Sequence, residues 1–284
     1  MQSLKQRLAR EGALIAPGVF DLISALVADD VGFEALYMTG YGVAASHLGL
    51  PDAGLASYSD MVSRVGRIAG AVQAPLIADG DTGYGGLLNV QQTVRGYEAA
   101  GAAAIQLEDQ EFPKKCGHVT GRRVIPLEDM TAKLRVAVET RSSADFLIIA
   151  RTDARTAHGL DEALRRADAF AQAGADLLFI ESPESPEEMR VISERFDLPL
   201  VANMVEGGRT PLLSKAELEA LGYKLALFPG TGFLAAAAAL RDCYGLLKQR
   251  GSTVGADLNL YAFEDFGRLM GFDEVYAFER RHAR

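Results

Sequence analysis

Cysteine is scarce in this chain of 284 residues: only Cys116 and Cys243 occur, far apart and in unlike contexts. That excludes a disulfide scaffold and fits a reduced, cytoplasmic setting. Positive charge is also short. Twenty-nine Lys and Arg against 38 Asp and Glu leave a net charge of −9. A nucleic-acid partner would want a basic face, so none is expected. Long apolar runs are missing as well; none approaches the roughly 20 residues that span a bilayer, which argues against a membrane partner. Residues 1–10 carry charge without an apolar core, so they do not read as a signal peptide. No GxGxxG follows an apolar run, because Gly83, Gly85 and Gly86 have the wrong spacing for a dinucleotide turn.

What remains has the balance of a soluble globular chain, with 49% hydrophobic and 24% charged residues. Its length is close to the about 250 residues of a single α/β barrel. A chain of this size buries roughly 75% of its unfolded surface, so it needs no metal merely to fold. Short apolar runs at 13–16, 35–38, 75–78, 103–107, 146–150, 177–180, 199–202 and 224–228 alternate with segments of helical period. In residues 89–100 the apolar Val90, Val94 and Tyr97 fall on one helix face. In 161–173, Asp161 reads as an N-cap and Gly174 as the stop. Eight such pairs predict a parallel (β/α)8 TIM barrel, with a doubly wound open sheet as the structural alternative. Strands apolar along their whole length suit a sheet covered on both faces. Residues 232–250 predict a long Ala-rich helix, and 263–281 a last helical stretch. The chain reads as one domain, 1–284, with 251–284 as a C-terminal helical extension.

Polar residues follow the apolar runs: Thr39, Asp79 and Asp81, Glu108 and Asp109, Arg151 and Asp153, Glu181, Asn203 and Glu206. In a barrel these line the C-terminal mouth, where active sites are built. Two long connections, residues 40–59 and 110–126, read as binding loops or lids. Asp79-Gly80-Asp81 puts two carboxylates one residue apart at a strand end, where both can face a hard cation such as Mg²⁺. Asp52 and Glu108 are placed to act through its waters. A solvated turn is the plain alternative. Lys114-Lys115-Cys116-Gly117-His118 surrounds a thiol with positive charge, which favours thiolate and suits a nucleophile or a proton donor and acceptor. An ordinary loop cysteine is the alternative there, and Cys243 reads as packing. Arg151 can grip a carboxylate in bidentate fashion, or form a structural salt bridge to Asp153 or Glu181. His47 and His158 have no partner at an informative spacing. Gly207-Gly208 gives only a weak hint of a barrel phosphate site.

Pro113-Lys114-Lys115-Cys116-Gly117-His118 resembles the signature loop of the isocitrate lyase/phosphoenolpyruvate mutase superfamily. The resemblance spans essentially the whole chain. It runs through Tyr37-Met38-Thr39-Gly40-Tyr41-Gly42, Leu48-Gly49-Leu50-Pro51-Asp52, Asp79-Gly80-Asp81-Thr82-Gly83, Leu107-Glu108-Asp109-Gln110, Ala150-Arg151-Thr152-Asp153-Ala154 and Ala202-Asn203-Met204-Val205-Glu206-Gly207-Gly208. Within the superfamily the stretches 113–118 and 203–211 resemble those of the 2,3-dimethylmalate and 2-alkylmalate lyases. The resemblance implies a cytoplasmic homotetramer whose eighth helix is exchanged between subunits. It also implies a Mg²⁺ (or Mn²⁺) enzyme that breaks a carbon–carbon bond of a 2-hydroxy dicarboxylate by retro-Claisen cleavage. The residues carry over one by one. Asp79 and Asp81 match metal-site acids, with Asp52 and Glu108 behind metal-bound waters. Thr39, Gly40 and Tyr41 match the loop that holds the α-oxy acid carboxylate. Arg151, Glu181 and Asn203, with Lys115 and Gly117 of the loop, match substrate-site positions. Cys116 matches the acid that protonates the leaving enolate, and Lys114, Lys115 and His118 are expected to offset its developing charge. Methylisocitrate lyases resemble Ser-Gly-Gly where this chain has Thr39-Gly40-Tyr41, and the extra phenol argues against a tricarboxylic substrate. Oxaloacetate decarboxylation or hydrolysis, methylisocitrate cleavage and phosphonate formation are the alternatives, in that order.

Overall fold

The computed structural model describes residues 2–119 and 121–283. Eight parallel strands run β1 (Leu14–Val19), β2 (Leu36–Met38), β3 (Leu76–Asp79), β4 (Ala104–Glu108), β5 (Leu147–Thr152), β6 (Leu177–Ile180), β7 (Val201–Asn203) and β8 (Leu225–Phe228). Their order is β6-β5-β4-β3-β2-β1-β8-β7, and a parallel bridge between Leu178 and Leu200 joins the two ends. The sheet therefore rolls into a nearly closed barrel flanked by helices, and the open doubly wound sheet falls away.

Strand parity divides the core in two. Side chains alternate across a strand. One parity, including Leu36, Met38, Ala78, Ile105, Leu107, Ile148 and Leu178, packs under the surrounding helices. The other, including Tyr37, Ile77, Ala104, Leu147, Ile149, Phe179 and Val201, fills the barrel interior. That inner cluster also takes Leu4 and Leu8 from the short N-terminal helix Leu4–Leu8, capped by Ser3. Continuing the inner parity toward the strand ends gives Thr39, Asp79, Gln106, Glu108, Arg151, Glu181 and Asn203. Several of these belong to the strands themselves, so polar residues lie within β3, β4, β5 and β7 as well as after the strands.

Several boundaries differ from the sequence reading. The first strand runs on through Pro17 and Gly18 to Val19, where Gly18 lets the backbone of Pro229 pass too close for any Cβ. Helix Leu160–Gln172 begins two residues earlier than expected, so Asp161 sits in its first turn and Gly159 holds the cap position. Much of the stretch 40–59 is helical: Gly40–Val43, capped by the Thr39 hydroxyl, leads into a wider turn at Ala44–Leu48 that Gly49 ends in the left-handed conformation. The chain divides into two compact units, Met1–Phe233 and Leu234–Arg284. In the second, Gly271 (φ 85°) splits the expected last helix into Phe263–Leu269 and Phe272–His282. Among the described residues no helix is long and apolar enough to cross a membrane.

Candidate active site

Three buried carboxylates, Asp79, Asp81 and Glu108, converge with the partly buried Asp52 where β2, β3 and β4 end. Asp79 Oδ1 accepts the backbone N–H of Asp81 at 3.0 Å, and its carbonyl accepts the Tyr97 hydroxyl at 3.0 Å. A Cβ on Gly40 would lie 2.5 Å from Asp79 Oδ2, so only glycine lets that backbone approach the carboxylate. Asp81 adopts φ 47°, a left-handed conformation that costs a non-glycine residue energy. Burial pushes its carboxyl up to about 7, although the Lys114 ammonium lies 2.6 Å from Oδ1. The same ammonium lies 2.5 Å from Asp52 Oδ1. Burial alone would lower the Lys114 pKa; Asp81, Asp52, Asp79 and Glu108 outweigh it and hold the amine charged. Glu108 is buried too, with its carboxyl raised by desolvation and Oε1 lacking any donor.

This donor set fits a hard divalent cation. The ligands are carboxylate oxygens, one of them orphaned, and a cation in the form of Lys114 already sits among them. Among the described residues no three His, Cys, Asp or Glu side chains form a closed ligand cluster. Mg²⁺ does not need one, since it takes one or two carboxylates and fills its octahedron with waters and substrate.

Across the mouth, Arg151 stacks over the Phe179 ring, 5.1 Å from its centroid. Asp153 holds it in a fork at 3.0 and 2.9 Å, while Glu108 lies 3.3 Å from its Nη1 and Glu181 3.3 Å from its Nη2. Of the two readings of this arginine, the salt bridge to Asp153 is the one seen here, with Glu108 and Glu181 beside it. Glu181 accepts Asn203 Nδ2 at 2.9 Å and the Ser182 hydroxyl at 3.2 Å.

The connection 110–126 closes over these residues. Ser182 Oγ donates to the Gly117 carbonyl at 3.0 Å, and the Cys116 N–H donates to the Asp52 carbonyl at 3.2 Å. A Cβ on Gly117 would meet Arg151 Nη2 at 2.4 Å and Glu181 at 2.8 Å, so glycine is what allows the loop to seat. His118 Nδ1 accepts the Arg209 N–H at 3.2 Å, which leaves its proton on Nε2, facing Glu181 Oε1 at 3.4 Å. Burial lowers the His118 pKa, so the ring is neutral at pH 7 and donates to Glu181 instead of adding charge.

Two expectations for this loop are corrected. The lysines do not favour thiolate at Cys116. Lys114 is committed to Asp52 and Asp81, and Lys115 points outward, its backbone pinned by Gln110 and its Nζ 3.4 Å from the Gly121 carbonyl. Burial is the largest influence on Cys116 and raises its pKa, only partly offset by the His118 N–H. The thiol therefore keeps its proton at neutral pH. Lys115 is correspondingly exposed and away from the mouth.

Other site residues fall as follows. Thr39 is buried, with its hydroxyl used to cap Gly42 at 3.4 Å. Tyr41 is 41% exposed and tilted against Phe233 at 5.1 Å, and Phe233 in turn meets Phe20. The sequence reading missed Gln106, which links the Tyr37 hydroxyl (3.3 Å) to Asp79 (3.5 Å). Inner parity on β4 was the available signal. It also missed Arg122, whose guanidinium pairs with Asp153 and donates to Thr156 Oγ1 at 2.6 Å. An irregular loop carries no periodicity that would have marked it.

Known proteins resemble this chain over nearly its whole length. The family profile described as phosphoenolpyruvate phosphomutase matches residues 4–246. The 2,3-dimethylmalate lyase of Eubacterium barkeri is 49% identical over 280 residues, 99% of this chain and 97% of that protein. The petal death protein of Dianthus caryophyllus is 39% identical, over 98% of this chain and 88% of its own length. A crystal structure of 2,3-dimethylmalate lyase superposes with a TM-score of 0.93 at 36% identity, covering 100% of this chain and 96% of that one. Oxaloacetate acetylhydrolase bound to 3,3-difluorooxalacetate gives 0.93 at 35%, covering 98% and 95%.

Proposed function

Since this chain belongs to the phosphoenolpyruvate phosphomutase family, within the isocitrate lyase/phosphoenolpyruvate mutase superfamily, we propose that it is a cytoplasmic carbon–carbon lyase acting on 2-hydroxy dicarboxylates of the 2,3-dimethylmalate or 2-alkylmalate type. The observation that carries the reading is Cys116. Its thiol, held protonated by burial, sits in a loop seated on Asp52, Arg151 and Glu181 beside the carboxylate cluster. A proton donor so placed suits a reaction that ends with a carbanion next to a carboxylate.

Asp79 and Asp81 would hold Mg²⁺ or Mn²⁺, with Asp52 and Glu108 acting through waters, and the bound ion would supply Lewis acidity that lowers the pKa of the substrate 2-hydroxyl. The backbone of Thr39, Gly40 and Tyr41 binds the carboxylate beside that hydroxyl. Arg151 orients the substrate, and Glu181, ordered by His118, bounds the far side together with Asn203. Once the hydroxyl has passed its proton, through a water, to the Glu108 carboxylate, whose Oε1 has no donor of its own, its oxygen becomes the ketone of an α-keto acid as the C2–C3 bond breaks. The bonding pair passes to C3 as an enolic carboxylate, and Cys116 gives its proton to that carbon. Seating of the 110–126 loop keeps water from competing for it.

Assaying the purified protein with Mg²⁺ against 2,3-dimethylmalate, 2-methylmalate, methylisocitrate and oxaloacetate tests this directly. Fastest turnover is expected on an alkylmalate; turnover of oxaloacetate alone would overturn the reading. Hydrolysis or decarboxylation of oxaloacetate is the second reading, favoured by the equal fold likeness to oxaloacetate acetylhydrolase. Phosphonate chemistry has no task for the Cys116 thiol.

The assembly is proposed to be a homotetramer with the Thr231–Arg250 helix exchanged between subunits. That helix buries none of its residues within the chain, and Leu234, Leu240 and Tyr244 stay exposed. Apolar faces of this kind mark contact surfaces. Light scattering at micromolar concentration should give a tetramer, or at least a dimer; a well-behaved monomer would exclude helix exchange.

A further inference from the structure

Helix Leu160–Gln172 lies outside the barrel, yet it buries one charged side chain, Arg166, among Ala163, Leu164, Ala167 and Phe170. The proposed chemistry makes no use of it. Its Nη1 donates to Asp109 Oδ2 at 3.1 Å and to the Ile125 carbonyl at 2.9 Å, and its Nε donates to Glu162 Oε1 at 2.8 Å. Asp109 and Ile125 are the two feet of the 110–126 loop. They are joined by the Ile125 N–H to the Asp109 carbonyl at 2.9 Å and by the antiparallel bridge between Gln110 and Val124. One guanidinium nitrogen therefore touches both feet.

The same Asp109 carboxylate reaches inward. It accepts the Thr152 hydroxyl at 2.8 Å and the Asp153 N–H at 2.9 Å. Asp153 grips Arg151 in its fork and also takes Arg122, which belongs to the loop. A continuous set of charge-assisted hydrogen bonds thus runs from an outer helix, through the loop feet, to the arginine that faces the carboxylate cluster. Such bonds are short, directional and about twice as strong as neutral ones.

We propose that Arg166 is a positioning residue: by clasping both feet of the 110–126 loop and fixing Asp109, it couples seating of the loop to the setting of Arg151. The catalytic part of this rests on the lyase reading above; the mechanical part does not. A buried ion pair with only a structural role would cost stability when broken and leave the turnover of folded molecules unchanged.

Arg166→Gln, Arg166→Lys and Asp109→Asn are compared with the full-length protein in two measurements. In the first, kcat and KM for the best alkylmalate are determined per folded molecule. Arg166→Gln and Asp109→Asn should lower kcat by about tenfold to a hundredfold, the range that misplacement of a supporting residue produces, with a smaller change in KM. Arg166→Lys, able to reach one foot, should recover part of the loss. In the second, trypsin is applied in buffer without substrate, and cuts after Lys115 and Arg123 are timed by mass spectrometry. Losing two such bonds should raise the open fraction, and with it the cutting rate, about tenfold. Arg166→Gln with unchanged kcat and wild-type cutting overturns the proposal, as does a lowered melting temperature with both readouts unchanged. If Arg166→Gln fails to fold, Arg166→Lys and Asp109→Asn decide by the same criteria. If the wild type cleaves no alkylmalate, the lyase reading fails and the cutting rates alone decide whether Arg166 holds the loop.

Discussion

Treatment with EDTA is expected to take cleavage of 2,3-dimethylmalate to background, and excess Mg²⁺ or Mn²⁺ to restore it. Asp52, Asp79, Asp81 and Glu108 meet at one barrel mouth, and the carboxyls of Asp81 and Glu108 are raised by burial even beside Lys114 and Arg151. Negative charge there exceeds what the protein supplies to balance it, and a divalent ion corrects the imbalance. The same argument separates function from stability at Asp81. Its φ of 47° is a conformation glycine adopts freely, and Lys114 retains Asp52 when Asp81 is removed. Asp81→Gly should therefore be inactive while melting at or above the wild-type temperature without added metal. Wild type should gain stability from Mg²⁺, about 2.7 kcal/mol at a hundredfold excess over Kd, and Asp81→Gly should gain none. Full turnover under a strong chelator, or an undiminished Mg²⁺ shift in the variant, would sink the assignment.

Strand positions were legible because a parallel barrel buries both faces of every strand, and burial leaves an uninterrupted apolar run. The same run hid where strands stop. Glu108 and Arg151 pair across β4 and β5 as strand residues, although their polarity reads as the start of a loop. The first apolar run was read as ending at residue 16, yet Pro17 and Gly18 are strand, and Gly18 allows the close approach of Pro229 there. Glycines also misled at 40–49: Gly40 and Gly42 are spaced like a loop but open a helix whose first turn the Thr39 hydroxyl caps.

Asp79, Glu108 and Arg151 were legible for a related reason, since a polar residue closing an apolar run marks the mouth of the barrel. Loop residues have no such rule. Lys114 and Lys115 are neighbours of the same type, one buried between two aspartates and the other turned out to the Gly121 carbonyl. Nothing in their order distinguishes them. Arg166 was invisible for a third reason. Its burial depends on Asp109, 57 positions away, and helical periodicity reports which face is apolar, not which charge finds a distant partner.

Those unreadable directions decide how Cys116 works, and with it the choice between the two leading reactions. With Lys114 engaged elsewhere and burial raising its pKa, the thiol is a proton donor at neutral pH and a poor nucleophile. Cleavage of an alkylmalate leaves an enolic carboxylate that must take a proton on carbon inside the closed mouth, a step to which a placed acid contributes 10²–10⁴-fold, so Cys116→Ser should slow it by at least about a hundredfold. Serine keeps the size of the side chain and is a far weaker acid. Decarboxylation of oxaloacetate makes enolpyruvate, which can leave and take its proton from water, so that activity should fall much less in the same variant. Wild type in D₂O should yield carboxylate product deuterated stereospecifically at the former C3. The sign of the pH dependence follows from the same burial: the acid form persists below the raised pKa, so alkylmalate cleavage should show no thiol-dependent decline until the pH exceeds the ordinary cysteine value of about 8.5. Near wild-type cleavage by Cys116→Ser, or product deuterated without stereochemical preference, would remove Cys116 from the role of acid. Rapid turnover of oxaloacetate with no cleavage of any alkylmalate would replace the lyase with the second reading.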